Sequence, residues 1–238
     1  MKFNKPLFAF LFAVSLLGAC GSAPEKPAEQ KPIEKSLSAK KPAAAKVEVP
    51  SSVLPVGPVM PNPYLQNPQK FSEQVEINFR SAVVAMQQKN WDYAESTLKL
   101  LAERNPKLSG VHLNLGIVYR NKGNAEKAAE EFNRAINANM KNVEAYNQLA
   151  VLKREAGDFT EAERLYQRVL TIWPFFPEGH KNIAILYDLY LGKPEQALPH
   201  YQAYQQLLPA PDKQVDSWVA DVQRRLNAGK ASDKTEPK

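Results

Sequence analysis

The sequence predicts an all-α protein: a solenoid of about four stacked helix pairs, closed by a C-terminal capping helix. Three observations predict it. Small residues recur every 34 positions at Ala82, Gly116, Ala150 and Ala184. A second set, Ala94, Ala128, Ala162 and Ala197, follows at spacings of 34, 34 and 35. Glycines and prolines punctuate the same period, at Gly123, Gly157 and Gly192 and at Pro106, Pro174 and Pro209. A fixed period of this length marks a stacked helical array, because one helix pair cannot bury its apolar face alone.

In chain order, residues 1–19 read as an export signal. Lys2 and Lys5 precede an apolar run from Leu7 to Leu17, too short for a membrane-spanning helix of about 20 residues. Leu17-Gly18-Ala19-Cys20 resembles the bacterial lipoprotein cleavage box. The resemblance implies that Cys20, the only cysteine, becomes a lipidated N-terminus. Gly21 after it, where inner-membrane retention is associated with aspartate, implies the periplasmic side of the outer membrane. The alternative is an ordinary secretory signal cut after Gly21-Ser22-Ala23.

Residues 20–70 hold ten of the 19 prolines and show no apolar period, so they read as a disordered tether. A flexible chain of ~50 residues spans roughly 40 Å. Within it, Val47 to Phe71 places Val53, Leu54, Val56, Val59, Met60, Tyr64 and Leu65 among six prolines. This stretch either binds a partner, lies along the protein's own groove, or carries incidental apolar residues.

The array follows over 71–228, with units at about 75–108, 109–142, 143–176 and 177–211. In each, small residues let two antiparallel helices cross closely, and larger ones at +3 and +4 offsets fill the grooves beside the crossing. The turn glycines suit a left-handed residue just past a helix end; unit one carries Lys89 there. Asp158 with Glu161 predicts a capping box. The prolines stop the second helices, with Met140 in that place in unit two. Residues 212–228 form the cap, with Val215, Trp218, Val219, Val222 and Leu226 drawing one apolar stripe. Residues 229–238 read as a disordered tail.

This layout resembles the tetratricopeptide repeat family over roughly Val75 to Pro209, and the two end signals together resemble its outer-membrane lipoprotein members. The resemblance implies a right-handed α-solenoid whose first helices line a concave, protein-binding face. Carried over by position, that face comprises Phe79, Val83 and Met86 in unit one, and Leu113, Ile117 and Arg120 in unit two. Unit three adds Asn147, Val151 and Arg154, and unit four Lys181, Ile185 and Asp188. Arg120 and Arg154 either hold a ligand carboxylate or pair with Glu144, Glu155 or Asp188. Trp173, Phe175 and Phe176 form either an exposed aromatic anchor or an inward-packed cluster.

The remaining chemistry is sparse. Of the three histidines, His112 and His180 share one repeat position and are expected to fill packing sites. No phosphate loop, nucleophile elbow or zinc motif occurs in the sequence, so neither catalysis, cofactor nor metal is expected. Residues 70–228 carry 20 Lys+Arg against 19 Asp+Glu, so most of the +6 net charge lies in the ends and nucleic acid is not an expected ligand. The expected partners are a protein or peptide segment in the periplasm and the membrane through the lipid, with cell-wall contact open to the basic tether. The reading is a scaffold assisting assembly of an envelope machine of pilus or secretion type. Its rivals are an adaptor for a periplasmic peptidase or cell-wall enzyme, and a structural link to the cell wall.

Overall fold

The computed structural model describes residues 53–66 and 72–232, and every regular element among them is helical. The expectations for the signal peptide, Cys20 and the last six residues lie outside the described residues. Four antiparallel pairs follow one another: α1 (Glu73–Gln87) with α2 (Trp91–Arg104), α3 (Ser109–Asn121) with α4 (Ala125–Ala138), α5 (Val143–Glu155) with α6 (Phe159–Ile172), and α7 (Pro177–Ile185) with α8 (Pro194–Leu207). Each second helix also packs on the first helix of the next pair, and α9 (Lys213–Ser232) closes the stack against α8. One continuous apolar core runs from Ala82 to Val222.

The periodic small residues sit where the helices cross. Ala82, Ala94, Ala128, Ala150, Ala162, Ala184 and Ala197 are all 0% exposed. Gly116 is the extreme case, since a Cβ there would lie 2.5 Å from the Phe132 ring. The phenyl group occupies the space that alanine fills in the other units.

Helix ends repeat with the same period. The side chains of Asn90, Asn124 and Asp158 each accept a hydrogen bond from the backbone three residues on, capping α2, α4 and α6. The capping box expected at Asp158 is only half made, because Glu161 turns instead to Arg164 at 2.6 Å. Gly123 and Gly157 take left-handed conformations with φ of 77° and 81°. The amides of Asn124 and Asp158 then reach back five residues to Tyr119 and Lys153, the bond that closes a Schellman turn. Lys89 takes the same conformation at φ 58°, and Asn90 makes the equivalent bond to Ala85.

Unit four carries its extra residue in a π-helical turn, Leu186–Tyr190, which continues α7. The wider turn absorbs the insertion without shifting the packed residues on either side: Ala184 and Ala197 both stay fully buried. The single 35-residue spacing is therefore a local bulge and leaves the stacking register intact.

Asp212 caps α9 through Gln214 and Val215. The predicted stripe faces the array, with Val215 and Val222 at 1% and 0% exposure. Burying each contributes about 1.5–3 kcal/mol. The helix outruns the expected cap, since residues 229–232, read as disordered tail, continue α9.

Candidate protein-binding face

The residues assigned to the binding face fall on α1, α3, α5, α7 and the π turn. They do not remain equally available. Phe79, Met86, Leu113, Ile117 and Ile185 are half-buried and pack against the core while keeping part of their surface open, and Val83 is half-buried as well. Asn147 and Val151 are buried, and Asn147 accepts a hydrogen bond from Asn182 at 3.0 Å. Asp188 is a correction to the expected face. Arg225 of α9 donates to it at 2.5 Å, and its side chain is 5% exposed. Lys181 is held over the Tyr204 ring at 4.8 Å. The capping helix and α8 thus consume the charged positions of unit four.

The two arginines part company. Arg120 donates to Gln148 at 3.1 Å and to Glu155 at 2.6 Å, which is the paired alternative. Arg154 is different: its Nε and Nη1, and the hydroxyl of Tyr166, are buried with no hydrogen-bond partner among the described residues. Tyr190 from the π turn covers the guanidinium, with its ring centroid 5.6 Å away. Burial pushes the Tyr166 phenol up to about 12. Orphaned donors on a charged group are costly, and the Tyr190 ring is the contact that faces this guanidinium.

The aromatic cluster takes its inward-packed alternative at two of its three positions. Phe175 and Phe176 are each 6% exposed, because the short connection before α7 turns both rings toward the core. Only Trp173 keeps an open edge. It stacks on Phe176 with centroids 5.5 Å apart, and its indole N–H donates to the Met60 carbonyl at 2.8 Å. Met60 belongs to the stretch read as disordered tether, yet Met60 and Tyr64 both meet the array. Asn62 folds the segment, accepting from the Tyr64 amide at 2.9 Å. The Tyr64 hydroxyl lies 3.3 Å from where a Gly110 Cβ would be, beside Phe79 and facing Ser109. Burial raises the Tyr64 phenol, with Ser109 partly offsetting it.

The histidines fill packing sites, with a shared logic. His112 and His180 both bond through Nε2 to the carbonyl six residues earlier, at Pro106 and Pro174. Their Nδ1 atoms meet Glu131 at 2.7 Å and His200 at 2.9 Å. Glu131 and His200 are themselves repeat-equivalent once the inserted residue is allowed for. Burial lowers His180, and burial together with the neighbouring His180 lowers His200 to about 3. No group of three or more potential metal ligands occurs among the described residues. On the opposite face, a cleft of about 700 Å³ opens between α2 and α4, floored by His112 and flanked by Lys99, Glu131 and Arg134.

Sequence reasoning placed Tyr64 in a stretch for which lying along the protein's own groove was one alternative, and missed Tyr190 and Arg225. Gly110 was the available signal for the first, being a residue without a side chain on an otherwise furnished face. The 35-residue spacing pointed to the second.

Comparison with known proteins agrees with this architecture. Residues 107–174 match the tetratricopeptide repeat family model. A stretch of 115 residues is 32% identical to the photosystem I assembly protein Ycf3 of Rippkaea orientalis, covering 43% of this chain and 65% of that protein. Another of 88 residues is 35% identical to human tetratricopeptide repeat protein 8, covering 37% of this chain and 16% of that one. The chain therefore spans less than two thirds of the length of either relative. Among solved structures, Pseudomonas aeruginosa PilF superimposes with a TM-score of 0.60 at 20% identity, over 66% of this chain and 70% of that one. The thermophilic TPR protein TTC0263 of Thermus thermophilus gives 0.55 at 22%, over 63% and 82%. The family model and these folds support an array of tetratricopeptide repeats.

Proposed function

We propose that this chain is a non-catalytic scaffold whose first-helix face holds a segment of a partner polypeptide. Its periplasmic address rests on the leader, with lipid at Cys20 anchoring the array to the outer membrane. The role in assembling an envelope machine is supported by the fold shared with PilF and by the likeness to an assembly protein. No helix among the described residues is long and apolar enough to cross a membrane.

One observation carries the binding assignment: Arg154 presents buried, unpartnered donors on the first-helix face, under a tyrosine borne by a π turn. Such turns recur at functional sites. A peptide acid that displaces Tyr190 would gain a charge-assisted pair worth about 1.5–3 kcal/mol. The test is capture of partners by Arg154→Glu against the parent chain. A tenfold or greater loss is expected, in keeping with that magnitude; unchanged capture would refute the assignment. Intact mass of the mature protein tests the address, and an adduct-free Cys20 would remove it.

A further inference from the structure

The stretch from Met60 to Leu65 lies against the array at the start of α3 and at the α6–α7 connection. It makes two kinds of anchor contact. A backbone carbonyl, that of Met60, is read by the Trp173 indole at 2.8 Å. A side chain, Tyr64, is placed over Gly110 beside Phe79, with its hydroxyl facing Ser109. Ser109 is itself fixed, donating to the Ala135 carbonyl at 2.7 Å and accepting from Asn142 at 2.8 Å. The hydroxyl that faces Tyr64 is thus held in place by array residues.

The segment suits its place by the usual logic of peptide recognition. Pro61 and Pro63 flank Asn62, whose carbonyl accepts from Leu65 at 3.0 Å, so little chain entropy is lost on docking. Its remaining apolar side chains are not what holds it. Val59, Met60 and Leu65 are 66%, 54% and 66% exposed. Recognition falls on the tyrosine and on one carbonyl four residues before it.

We propose that Ser109, Gly110, Phe79 and Trp173 form a docking site for a proline-flanked, tyrosine-bearing peptide, and that Met60–Leu65 is its resident occupant in cis. This deepens the scaffold reading and rests on it: a partner using this end of the face must present the same chemistry and displace the chain's own segment. A tethered occupant acts at an effective concentration in the millimolar range. It therefore weakens a competing peptide by about the ratio of that concentration to the resident segment's own dissociation constant for the seat.

The experiment uses the full chain and a labelled ten-residue peptide, residues 58–67, with anisotropy as readout. Tyr64→Ala should bind the peptide at least tenfold more tightly than the parent chain. The same peptide with alanine in place of its tyrosine should bind neither. Adding Gly110→Val to Tyr64→Ala should abolish binding while leaving the thermal transition in place, because the valine fills the tyrosine's seat. Equal affinity for parent and Tyr64→Ala chains, indifference to the peptide's tyrosine, or absence of binding to Tyr64→Ala would each overturn the proposal. Cis occupancy and the scaffold role fail separately: partner capture sensitive to Arg154→Glu can persist when the peptide result is negative, and the reverse.

Discussion

His180 and His200 show how a single repeat position can be reused with different chemistry. In unit two the same place joins a histidine to Glu131, whereas in unit four it joins two imidazoles 2.9 Å apart. Burial holds both of the latter below the ordinary imidazole range, His200 at about 3. A folded-state pKa below the unfolded one means that the unfolded chain takes up the proton first as pH falls. Stability is then level above about pH 6.5 and declines from there toward pH 3. Each histidine kept neutral steepens that decline by about 1.4 kcal/mol per pH unit. Chemical denaturation at pH 7 and pH 5 should show the parent losing stability, with His200→Gln losing less. Identical losses would mean that the pair does not titrate as its burial implies.

At the scale of the element, most of the array was legible because its signals are local and periodic. The alanines at the crossings, the turn glycines and the prolines beyond the second helices each dictate a backbone event, and each event occurs where the period puts it. Lys89 tests the logic from the other side. It holds φ at 58°, a left-handed conformation that crowds the Cβ of any L-residue but glycine. Lys89→Gly should therefore stabilise the protein by about 1 kcal/mol, raising Tm by roughly 2–4 °C. A lower Tm by calorimetry would show that the lysine side chain contributes more than the strain costs. The face was less legible than the helices. Repeat position puts Ile117 and Arg154 on the first helices of their units, α3 and α5. It did not reveal that Arg225, 37 residues further on, would take Asp188, or that Tyr64 would lie against Gly110. Such contacts depend on which elements meet in space, and no period records them.

For the whole molecule, the fold assigns different work to its two faces. The second helices carry exposed charges and a cleft flanked by ions of both signs. The first helices carry half-buried apolar side chains, Arg154 with two buried donors unpartnered among the described residues, and a seat already taken by the chain's own tyrosine. A preformed array of this kind binds with little backbone rearrangement, so selectivity rests on the residues lining the face. The central claim is that partners meet the first helices. Photo-crosslinking in the native host tests it most directly, with a photoreactive residue at Ile117 on α3 or at Leu100 on α2, which is 43% exposed. The account predicts a discrete adduct from position 117 that is lost with Arg154→Glu, and none from position 100. Adducts from position 100 alone, or a 117 adduct indifferent to Arg154, would contradict it.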